Sequence, residues 1–279
     1  MERFVDFKRM VLGLPHSATD YASVAFTAQL AELLGLDIVG LFVEDESLAD
    51  LAALPCVREL RSLGGGWHPI DAAQLAQGTG QAAVEARRLF ETAAKALQIG
   101  TRFNRVKGSI VDVIGSESTV DDIFVIIEPK NPAERVTHQY KQLLEGAFSA
   151  PAATLLVPSR ISRRTGPVVA VVTSGQDPSL HAALGIAMSS KEQLVVLAPP
   201  GMDKVAAVRL AEASGVSVDW RPLARGATGD SELALLLSRI NERFLVLSRA
   251  RPTGLPPSQL AFGRGVPVLV TEPATTEGS

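Results

Sequence analysis

The feature that most constrains this chain is a recurrence. Five short β-type runs separated by helical patterns are followed by five more. The first half gives RMVLGLP (9–15), DIVGLFVE (37–44), TRFNRVKG (101–108), DIFVIIEP (122–129) and ATLLVP (153–158). The second gives PVVAVVTS (167–174), QLVVLAPP (193–200), VSVDWRPL (216–223), RFLVLSR (243–249) and VPVLVTE (266–272). Most of these runs are continuously apolar and β-branched rather than alternating, which is the pattern of parallel strands buried on both faces. Parallel neighbours need crossovers, and right-handed crossovers place helices on both sides of the sheet. The expectation is an α/β chain of two five-stranded, doubly wound parallel sheets.

The intervening segments carry the 3.6-residue spacing of amphipathic helices. Ala22, Ala25, Phe26, Leu30, Leu33 and Leu34 form one stripe, and Gly35 reads as its C-terminal cap. Val84, Leu89, Phe90, Ala93, Ala94 and Leu97 form another, and Gly78 and Gly80 are expected to delay or kink the start of that helix. In the second half, PSLHAALGIAMS and DSELALLLSRI are the matching helices, the latter with Asp230 or Ser231 as its N-cap. The chain divides into 1–158, a polar basic linker SRISRRTG (159–166) expected to be solvated, 167–273, and a tail at 274–279 expected to be disordered. An insertion at 45–70 interrupts the first half. Leu48, Leu51, Leu54, Val57, Leu60 and Leu63 recur every three residues and suggest a helix broken at Pro55. It covers a pocket, forms a partner interface, or packs on its own domain.

Composition closes off several classes of function. A net charge of −3 gives no electrostatic reason to expect nucleic acid or an anionic membrane, and no aromatic residues interleave with basic ones. Mean hydropathy is +0.19, yet no apolar run approaches the roughly 18 residues of a membrane span. The start, MERFVDFKRM, lacks a signal-peptide core, and Cys56 is the single cysteine, so no internal disulfide framework exists. These points favour the cytoplasm. No GxxxxGK[ST], no GxGxxG after a strand and no GxSxG is present, so catalysis of the types those motifs serve has no sequence support. His16, His68, His138 and His181 are scattered without metal-ligand spacing. VEDES (43–47) is either a cation or acid–base site at the end of a strand, or a solvated loop with Asp45 or Ser47 as a helix cap. His16, in the turn GLPHSATD after the first strand, is either a ligand contact or a turn residue.

RMVLGLPHSATDYASVAFTAQLAELLGLDIVGLFVEDE, together with EGAFSAPAATLLVPSR and FGRGVPVLVTEP, resembles the opening and closing segments of tandem universal stress proteins. The resemblance covers residues 8–158 and 166–272. It implies a Rossmann-like strand order of 3-2-1-4-5 in each half, a pseudo-two-fold relation between halves, and pairing through the last strands, ATLLVP and VPVLVTE, as an internal pseudo-dimer. It leaves a further homodimer open. It also implies a ligand crevice at the carboxyl ends of the first and fourth strands, where many members hold ATP on a glycine-rich turn: Gly, two residues, Gly, nine residues, then Gly-Ser/Thr.

The sequence departs from that motif in both halves. After the first half's fourth strand comes EPKNPAERVTHQYKQLLEGAFSAP, with no glycine before Gly146. Glu128 brings negative charge, and Pro129 and Pro132 lack backbone donors, against which stand only Lys130 and Arg135. In the second half, Gly254, Gly263 and Gly265 are misplaced, leaving Ser248, Arg249 and Arg251 as anion contacts. The aspartate that family ATP binders often place after the first strand falls at Leu14 and Thr173, with Asp20 and Asp177 read as too far into their helices. The resulting expectation is a non-enzymatic stress or regulatory protein acting through a small ligand or protein partner, with no cofactor and a degenerate nucleotide site. The alternative is an ATP or AMP binder with backbone groups near Pro15 and Phe42–Val43 on the base and Ser17, Lys130 or Arg249 on the phosphates. A metabolic enzyme ranks behind both, for lack of a phosphate motif. Candidate ligand contacts are Pro15, His16, Ser17, Phe42, Val43, Glu44, Lys130, Thr173, Ser174 and Arg249.

Overall fold

The computed structural model describes residues 7–15, 20–46, 50, 52, 54, 56–60, 66–95, 97–202, 205–223, 229–249 and 255–271. In the first half these form β1 (Arg9–Leu14), α1 (Tyr21–Leu34), β2 (Asp37–Asp45), β3 (Arg58–Leu60), β4 (Trp67–Pro69), α2 (Ala72–Ala94) and β5 (Thr101–Gly108). Then come α3 (Ile110–Glu117), β6 (Asp122–Ile127), a tight 3-10 turn (Pro132–Val136), α4 (His138–Ser149) and β7 (Ala153–Val157). The second half comprises β8 (Val168–Val171), α5 (Pro178–Ser190), β9 (Leu194–Ala198), α6 (Val205–Ser214) and β10 (Val218–Pro222). It ends with α7 (Gly229–Ser238), β11 (Phe244–Ser248), α8 (Pro257–Arg264) and β12 (Val268–Thr271).

The main strands make one sheet rather than two. Its order is β10-β9-β8-β11-β12-β7-β6-β1-β2-β5. Within each half the order is 3-2-1-4-5 with every pairing parallel. The exception is the seam, where β12 runs antiparallel to β7 with Leu269 opposite Leu155. The reason is elementary. The last strand of each half exposes a row of unpaired N–H and C=O groups, and joining the two removes both edges at once. A consequence follows for function: the two halves point their carboxyl ends in opposite directions.

Side chains alternate across the sheet into two apolar layers, each spanning both halves. On one face Met10, Leu12 and Leu14 of β1 pack with Val24 and Ala31 of α1, Phe90 of α2, and Leu180 and Ala183 of α5. On the other, Val11 joins Ile114 of α3, Leu143 of α4, Leu233 of α7 and Leu260 of α8. Close packing dictates two strand glycines. A Cβ on Gly13 would lie 3.0 Å from Phe124 Cζ, and one on Gly40 would lie 3.0 Å from Phe90 Cδ2.

Several local expectations change. Gly78 and Gly80 do not delay α2, which begins at Ala72. Asp71 caps it, accepting from the N–H groups of Ala73 and Gln74 at 2.9 and 3.2 Å, and 23 residues of helix outweigh about 1 kcal/mol lost per glycine. Helix α1 starts at Tyr21 with Asp20 in the cap position, four residues after the turn's proline–histidine–serine; Ser17, read as that cap, lies outside the described residues. Gly35 does close α1, with φ of 67°. The insertion is not a broken helix throughout: β3 and β4 pair as an antiparallel hairpin, Glu59 opposite His68. A three-residue spacing over so short a span does not define a helix against local strand pairing. The linker is not merely solvated, since Ile161 packs on the core and the Ser162 N–H donates to the Gly265 carbonyl at 2.7 Å. Gly229 opens α7, so Asp230 and Ser231 lie within its first turn. The expected tail lies outside the described residues.

Candidate functional site

Among the described residues the first half offers a cleft beside the carboxyl end of β1, bordered by β2, by the amino-terminal half of β6 and by the starts of α3 and α4; the carboxyl ends of the strands are where a doubly wound sheet binds ligands. Leu14 and Pro15 form one wall, Val43 another, and Phe124, Gln139 and Leu143 the floor and far side. Its empty volume, counting the open mouth, is about 250 Å3, but the space inside holds little more than one water. Phe124 is one of the side chains that bound it: its ring is fully buried and leaves no room for a Cβ on Gly13.

Asp20, at the start of α1, pairs with Lys130, beyond β6, at 3.0 Å. The pair joins the two segments that flank the cleft. Deeper, Glu128 is the first residue after β6 and is almost wholly buried. Its Oε2 accepts from both the N–H and the hydroxyl of Ser159 at 3.1 Å, and its Oε1 lies 2.8 Å from Arg135 Nη2 as an ion pair. Buried carboxylates are ordinarily found with such partners. Nearby, the Tyr140 hydroxyl is buried with no hydrogen-bond partner among the described residues. Burial, reinforced by the negative charge of Glu128, pushes it well above its ordinary value against a smaller opposing effect of Arg135.

In the second half the corresponding turn is closed on itself. Asp177 caps α5. Its Oδ2 accepts from the N–H and hydroxyl of Thr173, each at 2.7 Å, and its Oδ1 from the N–H and hydroxyl of Ser179 at 3.0 and 2.7 Å. Arg249 is the first residue after β11. Its Nη1 donates to the carbonyls of Phe148 at 2.8 Å and Ala150 at 3.4 Å, and its Nη2 to that of Ala152 at 3.2 Å. These oxygens belong to the carboxyl end of α4 and the residues just beyond, where the helix dipole favours a cation.

Of the candidates read from the sequence, the structure brings Pro15 and Val43 to the cleft, while Lys130, beyond β6, pairs with Asp20 before α1. The others lie elsewhere. Phe42 is fully buried on the opposite face of the sheet from Val43, in the layer beneath α1 and α2. Glu44 faces the neighbouring strand, paired with Arg105 and, at 3.9 Å, with Lys107. Asp45 ends β2 and is buried. Thr173 is held by Asp177, and Ser174 is exposed beside it. Arg249 faces the other half. Lys130 and Arg249 thus belong to the carboxyl ends of oppositely directed halves and do not share one phosphate site. His16, Ser17, Ser47, Arg251 and Gly254 lie outside the described residues. Reading Asp20 and Asp177 as deep in their helices placed them wrongly, since both precede the first helical residue. The signal was legible: an aspartate just before an apolar helical period, and in DPSL an aspartate before a first-turn proline. No group of three metal-binding side chains gathers among the described residues.

A doubly wound 3-2-1-4-5 half, joined to a second through the last strands, defines the class of this chain. Comparison with solved structures narrows it. A universal stress protein from Archaeoglobus fulgidus DSM 4304 superposes with a TM-score of 0.61 at 17% identity, covering 98% of this chain and all of that one. A functionally unknown protein from Pseudomonas aeruginosa PAO1 gives a TM-score of 0.49 at 16% identity over 98% of this chain and 95% of that one. No protein-family model and no curated protein matches the sequence. The fold is that of universal stress proteins. No helix among the described residues is long and apolar enough to cross a membrane.

Proposed function

We propose that this chain is a tandem universal stress protein-like regulator that catalyses no reaction and acts through a small ligand or a protein partner, without holding ATP on a glycine-rich phosphate cradle. The observation that carries this reading is the first-half cleft. Phe124 is one of the side chains that bound its small interior, and the segment that in an ATP-holding relative would offer glycine N–H groups offers buried Glu128 instead. A phosphate placed there meets a carboxylate, and the cations nearest to it, Arg135 and Lys130, are already paired with Glu128 and Asp20. The seam between β7 and β12 supports the internal pseudo-dimer, and the fold supports a cytoplasmic stress-response role by analogy.

The test is release of bound nucleotide. The purified protein is denatured, and the supernatant is read by absorbance and mass. The expected result is no stoichiometric adenine nucleotide, and no thermal shift on adding ATP or AMP. Stoichiometric ATP or AMP would overturn the proposal. It would favour the second reading, which one observation supports: Asp20, before α1, and Lys130, beyond β6, form a separable pair able to meet a ribose and a phosphate.

A further inference from the structure

The seam is short. β12 meets β7 over three register pairs, Val268 with Leu156, Leu269 with Leu155 and Val270 with Thr154. The apolar layers on both faces continue across it, so polar contacts from one half to the other add to that packing. At each end of it, a guanidinium from one half lies over a phenylalanine ring of the other. Arg135, in the 3-10 turn after β6, stands 5.5 Å from the ring centroid of Phe262 in α8. Arg249, after β11, stands 5.9 Å from the ring centroid of Phe148 in α4. The rings hold matching places: Phe148 is seven residues before Leu155, and Phe262 is seven before Leu269, the two leucines that face each other at the centre of the seam.

The guanidinium groups reach these rings by different routes. The residue that matches Arg249 in the first half is Glu128: the N–H of each donates, at 2.8 Å, to the last residue of the half's final strand, Thr271 and Val157. Position 128 carries the opposite charge. The first half supplies its guanidinium from Arg135 instead, and Glu128 holds that guanidinium at 2.8 Å. The same contact is therefore made at both ends of the seam from non-matching positions in the chain.

We propose that Arg135 on Phe262 and Arg249 on Phe148 form a crossed clamp that fixes the two halves in one relation, and that this clamp withdraws both cations from the ligand crevices they border. A guanidinium over an aromatic face is attracted by the ring quadrupole, and partial burial strengthens that attraction. Because each clamp crosses from a crevice loop of one half to the last helix of the other, loosening either one loosens the seam.

The test is amide hydrogen exchange on the full chain, read by mass spectrometry in peptides spanning β7 and β12. Phe262→Leu and Phe148→Leu keep most of the apolar bulk and remove the ring. Each is expected to speed exchange of the seam strands about three- to fivefold, the factor a partly exposed cation–π contact supplies. Arg135→Ala combined with Phe262→Leu is expected to add nothing beyond the larger single effect. Arg87→Ala, which breaks an exposed pair far from the seam, is expected to leave those peptides unchanged. The proposal is overturned if both leucine variants exchange at the parent rate in β7 and β12, or if the Arg135 and Phe262 effects add as independent ones. Should Arg135→Ala fail to fold, the two leucine variants decide alone.

Discussion

Packing of Phe124 against Gly13 beside the first crevice makes a prediction that a double-mutant cycle can check. In the parent protein a Cβ at Gly13 meets Phe124 Cζ at 3.0 Å, Phe124 Cε1 at 3.2 Å and Leu143 Cδ2 at 3.5 Å. The ring is fully buried and cannot swing out, so Gly13→Ala forces an overpacking shift costing about 1–3 kcal/mol. Against that stands about 0.5–1 kcal/mol gained from a less flexible unfolded chain. The net is a loss of about 0–2.5 kcal/mol. Phe124→Ala alone leaves a large cavity and costs about 3–5 kcal/mol. In that background the clash at Gly13 is gone, and Gly13→Ala becomes neutral or stabilising. The coupling between the two substitutions is then about 1–3 kcal/mol. Urea unfolding with a common m-value measures all four corners. If Gly13→Ala costs the same in both backgrounds, the ring is not what denies room to a Cβ at Gly13, and the account of the cleft fails.

Three further outcomes follow. Arg9 donates from Nε and Nη2 to buried Asp122 at 2.7 and 2.9 Å. Burial alone would raise the Asp122 carboxyl, but the hydrogen bonds from Arg9 and Thr119 outweigh it and hold the group below its ordinary value. A depressed folded value stabilises the protein above the unfolded value near 4 and loses that contribution as pH falls through the folded value, so Arg9→Ala should move acid unfolding to higher pH. Because Arg9 is about one-third exposed, its neutral-pH cost should be about 1–2 kcal/mol by chemical denaturation, below that of a fully buried pair. Asp177→Ala removes the α5 cap and strands the N–H groups of Thr173 and Ser179, and should cost about 2–3 kcal/mol in the same assay, whereas Asp177→Asn should recover part of it. Gly166 has φ of 126° and a Cβ there would overlap the Asn241 carbonyl oxygen, so Gly166→Ala should lower Tm by several degrees, roughly 2–4 °C for each kcal/mol lost in a chain of this size.

The architecture was legible because it rests on repetition. Apolar runs such as FLVLS and DIFVII, set between helical patterns, read as parallel strands buried on both faces, and the pairing of the two last strands was implied by the family resemblance, with closure of two exposed edges as its physical sense. The site was less legible because its chemistry depends on where elements stop. Moving the start of α1 from Ser17 to Asp20 turns a remote carboxylate into a partner for Lys130. Arg249 reads equally well as a phosphate contact or a carbonyl cap. Only the antiparallel seam, which brings the end of α4 beneath it, decides between them. The loss of glycines after β6 was visible in the sequence. That the ring of Phe124, paired in register with Val11, leans against Gly13 was not, because it is a relation between residues on neighbouring strands far apart in number.

The matching of Glu128 with Arg249 bears on why a single chain would carry both halves. In a symmetric pair of identical halves, the interface is self-complementary, and one residue must serve at both ends of the seam. A glutamate at that place would then sit at both ends, and so would an arginine. Once the halves share a chain, the two positions are free to differ. Here one became a buried acid that holds Arg135, and the other became the base that crosses the seam itself. On the reading proposed above, this freedom also lets one crevice close differently from the other: the first around the ring of Phe124, the second around the Asp177 cap.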